Sequence, residues 1–181
     1  THVTAFEIPE FQRVHGKLLF AADVAIIPAP DLATKLKIAE AAVKATRGFG
    51  LTKPKVAFLA ASEKVSEKMI ATTEAAVLAK MGDRGQLKGA ICDGPLALDV
   101  AISPEACAIK DLVSPVGGAA DIVIFPNIES GNVFYKSMTY LAGARTAAAV
   151  VGTTAPCILT SRADSEDTKF FSIALGCRLA L

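Results

Sequence analysis

Short apolar segments of strand length alternate with amphipathic, Ala-rich helical segments along this chain, and short Gly/Pro loops separate them. Residues 55–60 and 121–125 are typical of the apolar segments, and the segment that follows Asp31 is typical of the helical ones. Repeated alternation of strand and helix is the pattern of an α/β fold with a largely parallel sheet. We therefore predict a three-layer α/β fold with a mostly parallel sheet and helices on both faces.

The predicted elements follow from apolar periodicity and from Gly, Pro and capping residues at their ends. Strands are predicted over residues 3–8, 17–22, 55–60, 89–92, 121–125, 147–151 and 156–160. Helices are predicted over residues 32–47, 66–81, 129–145 and 166–179, with a further helix that opens at Ser103 and Pro104. Asp93-Gly94-Pro95 is expected to end the fourth strand.

Composition and net charge limit the classes of binding partner that the sequence indicates. The chain is 52% hydrophobic and 6% aromatic, and its net charge is +1, so bulk charge indicates neither nucleic acid nor an anionic membrane as a partner. No apolar run is long enough to span a bilayer. The four cysteines have no CxxC spacing, which predicts reduced thiols and a cytoplasmic protein.

Three loops are candidates for the site, because ligands of parallel sheets bind beyond the carboxyl ends of the strands. The loop after Phe125 offers Asn127, Gly131, Asn132 and Lys136. Here a glycine would let backbone approach a ligand, a helix N-terminus would face an anion, and the lysine would add charge. The alternative is an ordinary strand–helix loop with a capping asparagine.

The loop after Cys92 contains Asp93, Gly94 and Pro95. An aspartate at a strand end can bind a ligand hydroxyl, or it can fix an Asp-Gly turn. Both interpretations remain open from the sequence.

The loop after Thr160 combines a hydroxyl, a guanidinium and several carboxylates. Arg162 offers a fork suited to phosphate, with Ser161 as a donor beside it. Asp164 or Ser165 is expected to N-cap the last helix, and Asp167 falls in its first turn. Capping does not account for the Ser-Arg pair, so Ser161 and Arg162 are predicted to be functional.

Other sites are not supported. The sequence has no GxGxxG, P-loop or GxSxG motif, and no metal-ligand spacing. His2 and His15 are far apart in sequence, and each is expected to be a surface or structural histidine.

Taken together, four segments resemble the phosphate acetyl/butyryltransferase family, and more closely its butyryl branch. They are KVAFLAASEKVSEKM, AKMGDRGQLKGAICDGPLALDVAIS, ADIVIFPNIESGNVFYKSMTYLAGA and LTSRADSEDTKFFSIAL. The resemblance implies an isocitrate/isopropylmalate dehydrogenase type of fold. It also implies a reaction in which the sulfur of coenzyme A attacks an acyl phosphate, giving acyl-CoA and inorganic phosphate. CoA would then be a substrate, no permanently bound cofactor or metal would be needed, and a homodimer is expected.

The resemblance also suggests roles for the residues after Thr160. Ser161 and Arg162 would stabilise the oxyanion and the departing phosphate. In the acetyl branch a catalytic Asp follows the Ser-Arg pair by seven positions, where this chain has Thr168. Asp164 or Asp167 would then be the base, unless cationic surroundings activate the thiol.

The resemblance further implies two domains. Residues 1–151 would form the middle domain of the family, and residues 152–181 would be a strand and helix that belong to an absent first domain. The chain is therefore expected to be a fragment that is inactive alone. The alternatives are a non-catalytic CoA-binding or oligomerisation module and a dehydrogenase relative, which the lack of clustered metal-binding carboxylates disfavours.

Overall fold

A computed structural model describes residues 1–180, which contain a sheet of six strands. The strands are β1 (His2–Glu7), β2 (Leu19–Ala22), β3 (Lys55–Leu59), β4 (Ile91–Leu96), β5 (Ile122–Ile124) and β6 (Arg145–Val150). They lie in the order β4-β3-β5-β2-β1-β6. The pairs β4–β3, β3–β5 and β5–β2 are parallel, whereas β1 is antiparallel to both β2 and β6. Five of the six strands share one direction, which confirms the mostly parallel sheet.

Helices cover both faces of this sheet. Within residues 1–180 they are α1 (Pro9–His15), α2 (Leu32–Arg47), α3 (Ile70–Asp83), α4 (Leu98–Ile102), α5 (Pro104–Ile109), α6 (Ile128–Tyr140) and α7 (Glu166–Ala180). One core cluster joins α2 and α3 to one face, and a second joins α1, α4, α5 and α6 to the other. Successive side chains of β3 point to opposite faces of the sheet. Val56 and Phe58 therefore pack in the cluster with α2 and α3, and Ala57 and Leu59 pack in the other cluster. The three-layer prediction is confirmed.

Helix α1 was not predicted, although its ends carry standard signals. Pro9 occupies the first turn, and Gly16 closes the helix with φ +64° and an N–H that donates to the Gln12 carbonyl at 2.8 Å. The short helix α4 was also missed. Two predicted helices are too long, because α3 begins at Ile70 rather than residue 66, and α6 ends at Tyr140.

The predicted end of the fourth strand at Asp93-Gly94-Pro95 is wrong, because β4 continues to Leu96. β4 is an edge strand, where a proline need not remove a ladder hydrogen bond. Its register with β3 shifts between Ala57 and Leu59, which accommodates the irregular segment.

The predicted strand over residues 156–160 is also wrong. Only Cys157 pairs with the sheet, through Val150 of the edge strand β6. Ile158 and Leu159 follow with 41% and 48% of their surface exposed. Within residues 1–180 no further strand lies beside this segment, so it has no second neighbouring strand to pair with.

None of the helices in the described part combines the length and hydropathy needed to cross a membrane.

Candidate functional site

A cleft of about 330 Å³ lies at the carboxyl edge of the parallel strands, between α6 and the turn formed by residues 161–164. It is lined by His2, Val24, Ala25, Asn132, Tyr135, Lys136, Leu159, Thr160, Ser161, Arg162 and Asp164. Five predicted site residues meet here, from helix α6 and from the turn: Asn132, Lys136, Ser161, Arg162 and Asp164. The position agrees with the expectation that ligands bind beyond the carboxyl ends of the strands.

One wall of the cleft is a face of α6. Asn132, Tyr135 and Lys136 are spaced i, i+3 and i+4, which places them on the same side of a helix. The Asn132 amide donates to the Val24 carbonyl at 3.2 Å, and the Lys136 ammonium lies 5.6 Å from the centre of the Tyr135 ring. Within residues 1–180 no carboxylate forms an ion pair with Lys136, so its charge is available to an anion.

The opposite wall is the turn 161–164, which the Asp164 carboxylate organises. Its Oδ2 accepts the Ser161 N–H at 2.6 Å, and its Oδ1 accepts the Tyr135 hydroxyl at 3.0 Å. Arg162 is exposed in this turn, and no ion pair holds it within the described residues. The cap of α7 is Ser165, whose Oγ accepts the Thr168 N–H at 3.2 Å. Asp164 is therefore not used for capping.

The buried Asp23, which is 3% exposed, directly precedes the lining residues Val24 and Ala25. Burial alone would raise the pKa of Asp23. The N–H groups of Ala25, His2 and Ile26 and the Thr1 hydroxyl outweigh it and lower that pKa. The ionised carboxylate thereby fixes the loop after β2.

Protein groups accept from three N–H groups at the N-terminus of α6, those of Ile128, Ser130 and Gly131. Asn127 is the N-cap, as the alternative interpretation held, and its Oδ1 accepts the Ser130 N–H at 3.0 Å. The Ile128 N–H donates to the Pro28 carbonyl at 2.9 Å. Gly131 faces backbone, since a Cβ on it would lie 2.5 Å from the Asp23 carbonyl oxygen. The glycine therefore allows α6 to approach the loop after β2.

Asp93, Gly94 and Pro95 lie elsewhere. They belong to β4, and β3, β5 and β2 separate that strand from β1. The Asp93 carboxylate accepts the Gly94 N–H at 2.8 Å and the Ser114 hydroxyl. These contacts are those of a residue that fixes local backbone. None of the three residues lines the 330 Å³ cleft.

Asp167 lies outside this cleft as well. It lines a neighbouring cleft of about 230 Å³ together with Arg145 and Phe171. Asp164 borders both clefts. Thr168 lines that neighbouring cleft as well, where it is largely buried and bonded to Ser165.

Tyr135 was not predicted as a site residue. The signal was its spacing, one turn after Asn132 and beside Lys136. Burial raises the pKa of Tyr135 to about 12, and the Asp164 carboxylate adds to the shift. The phenol therefore remains a hydrogen-bond donor at neutral pH.

His2 lines the cleft but is held by protein groups. Its Nε2 lies 3.3 Å from the Leu159 carbonyl oxygen, which can only accept, so Nε2 carries the proton. Nδ1 then accepts from the Thr4 hydroxyl at 3.2 Å. His15 likewise contacts the Ile102 carbonyl at 2.8 Å. Both contacts agree with a structural role for these histidines.

The free energy of unfolding is expected to fall as pH falls below about 6.5, because burial lowers the pKa of His2 below that ordinary value. Below pH 6.5 the unfolded chain binds a proton at His2, whereas the native chain does so only at lower pH. The stability present above pH 6.5 is therefore lost as pH falls from 6.5 through the lowered pKa. Urea unfolding at pH 8 and pH 5.5 measures this change. His2→Gln retains a donor for the Leu159 carbonyl and should reduce the change. An equal pH dependence in the variant would contradict the role given to His2.

The fold is that of a phosphotransacylase structure. The chain is similar to a branched-chain phosphotransacylase from Enterococcus faecalis V583, with a TM-score of 0.89 and 37% identity, over 99% of this chain and 62% of that one. It is 48% identical to a phosphate butyryltransferase from Clostridium acetobutylicum and 47% identical to a phosphate acetyltransferase from Thermotoga maritima. These matches cover 99% and 96% of this chain, and 58% of each relative.

The family model described as phosphate acetyl/butaryl transferase matches residues 1–177. The chain belongs to this family, as its four sequence segments predicted.

Proposed function

We propose that this chain takes part in moving a short acyl group, butyryl or acetyl, between acyl phosphate and coenzyme A. The observation that carries the proposal is the cleft in which Lys136 and Arg162 lie on opposite walls beside Ser161. Two cations without carboxylate partners in the described residues suit phosphate groups, which both substrates contain. The family membership and the names of the relatives support the same reaction.

The proposed reaction forms one bond and breaks one. The CoA sulfur attacks the acyl carbonyl carbon and forms a C–S bond. The C–O bond to phosphate then breaks, and phosphate leaves with the electron pair. Arg162 and Ser161 would donate to the oxyanion and to the departing phosphate. The thiol has an ordinary pKa of about 8.5, so a base must take its proton, which passes finally to the released phosphate.

We propose Asp164 as this base, rather than Asp167. Asp164 borders the cleft that contains Ser161 and Arg162, whereas Asp167 lines the neighbouring one. Each Asp164 oxygen accepts one hydrogen bond from the protein. A carboxylate oxygen has two acceptor sites, so one remains on each oxygen for the thiol proton.

Two measurements on the same purified chain test the proposed function. Calorimetry with butyryl-CoA and with inorganic phosphate measures binding, and a thiol reagent measures the phosphate-dependent release of CoA from butyryl-CoA. Binding with release supports acyl transfer by the chain itself. Binding without release favours the CoA-binding module, a candidate supported by the 58% share of the relatives that the chain spans. Absence of butyryl-CoA binding would contradict both functions.

The division into residues 1–151 and 152–181, the homodimer and the cytoplasmic location remain predictions. The two proposed parts are in contact, because the Ser172 hydroxyl of α7 accepts the Ala148 N–H of β6 at 3.0 Å. Sedimentation of the chain at several concentrations would measure its oligomeric state.

A further inference from the structure

Tyr135 joins the two walls of the cleft. Its side chain is almost fully buried, with 6% of its surface exposed, and its ring packs edge-on against Phe6 at 5.8 Å between centroids. Its hydroxyl crosses from α6 to the turn and donates to Asp164. The ring also carries the Lys136 ammonium at 5.6 Å. One residue thus contacts groups on both sides of the cleft.

We propose that Tyr135 is a positioning residue that holds the turn 161–164 closed against α6 and thereby sets the separation of Lys136 and Arg162. The connection runs from the Tyr135 hydroxyl to Asp164 Oδ1, and from Asp164 Oδ2 to the Ser161 N–H. Arg162 follows directly in the chain. The purpose of the closed turn rests on the proposed acyl transfer, but the closure itself does not.

In the described part of the chain, the hydrogen bonds from side chains outside residues 159–164 to this segment come from Tyr135 and His2. Ile158 and Leu159 before it have 41% and 48% of their surface exposed, and Ile158 packs against Gly176 of α7. The His2 ring adds a contact to the Leu159 carbonyl, at 3.3 Å. Segments with few buried apolar contacts open locally at little free-energy cost. A hydrogen bond to a charged acceptor is stronger than one between neutral groups. Loss of the bond from Tyr135 to Asp164 should therefore markedly increase the opening of the turn 161–164.

Tryptic cleavage after Arg162 reports this opening without any substrate. Tyr135→Phe keeps the ring under Lys136 and removes only the hydroxyl. We expect cleavage at Arg162 to become roughly tenfold faster, because cleavage follows the population of the open turn. The matched control is Tyr140→Phe, which also keeps a ring near Lys136, at 6.0 Å, and loses an exposed hydroxyl. The control should be cleaved like the wild type.

Asp164→Ala removes the acceptor of the Tyr135 hydroxyl, together with that of the Ser161 N–H, and it provides the measurement if Tyr135→Phe fails to fold. We expect the double variant to be cleaved no faster than Asp164→Ala, since the Tyr135–Asp164 bond is already absent in that single variant. Unchanged cleavage at Arg162 in the single variants would overturn the proposal. Equal acceleration at Lys and Arg sites throughout the chain would overturn it too, because that result indicates global destabilisation. Failure of butyryl-CoA binding, by contrast, would remove the proposed function and leave this test intact.

Discussion

Replacing Arg162 by Gln is expected to weaken the binding of inorganic phosphate by about 10- to 100-fold, because the variant loses charge-assisted hydrogen bonds to the anion. Arg162 lies in the turn 161–164, exposed and without an ion pair in the described residues. The substitution therefore removes little that stabilises the fold. Calorimetric titration with phosphate at one fixed ionic strength measures the effect.

Two variants act as controls for Arg162. Arg84→Gln changes an exposed arginine at the end of α3, outside the cleft, and should leave phosphate binding unchanged. Arg162→Lys keeps the charge but loses the planar fork, so an intermediate affinity is expected. The assignment of the anion site fails if Arg162→Gln binds phosphate as tightly as the wild type.

Replacing Phe6 by Ala is expected to lower the free energy of unfolding by about 3–5 kcal/mol, the usual cost of deleting a buried phenyl group. Phe6 has no exposed surface and lies at the centre of an aromatic cluster beneath α6. Its ring contacts Phe134 at 5.4 Å and Tyr135 at 5.8 Å, both in edge-on geometry. Urea denaturation measures the change, provided that the slope with denaturant is the same in both proteins.

Val113→Ala is the control for this substitution. Val113 is 97% exposed, so its truncation should change the free energy of unfolding by less than about 0.5 kcal/mol. A loss of under about 1 kcal/mol in Phe6→Ala would contradict the packing described beneath α6. Because the same cluster supports Tyr135, Phe6→Ala should also weaken phosphate binding.

Most of the fold could be predicted from local patterns. The apolar runs at β3 and β5 are strong because both faces of these central strands are buried, and the caps Asp31 and Ser103 mark true helix starts. The wrongly predicted strand bounds lie at the edges of the sheet, in β4 and in residues 156–160. The segment 156–160 is as apolar as a strand, yet only Cys157 finds a partner, and pairing is decided by distant segments rather than by local sequence.

The candidate site was predicted in part, for the same reason. Spacing along the chain indicated the Ser161–Arg162 turn and the Asn132–Lys136 face of α6, and the structure brings them together. Spacing along the chain could not indicate that Asp164 bonds to Tyr135, 29 positions away. Nor could it separate Asp93 from the cleft, because that separation follows from the order of strands in the sheet.

Hydrogen–deuterium exchange of the chain with and without butyryl-CoA tests most directly whether the cleft between α6 and the turn binds the proposed substrates. We predict slower exchange in residues 131–136 and 159–164, which form its two walls, and a weaker effect in Arg162→Gln. The exchange of β4, which includes Asp93, should not change. Protection confined to β4, with none in either wall, would contradict the proposed site.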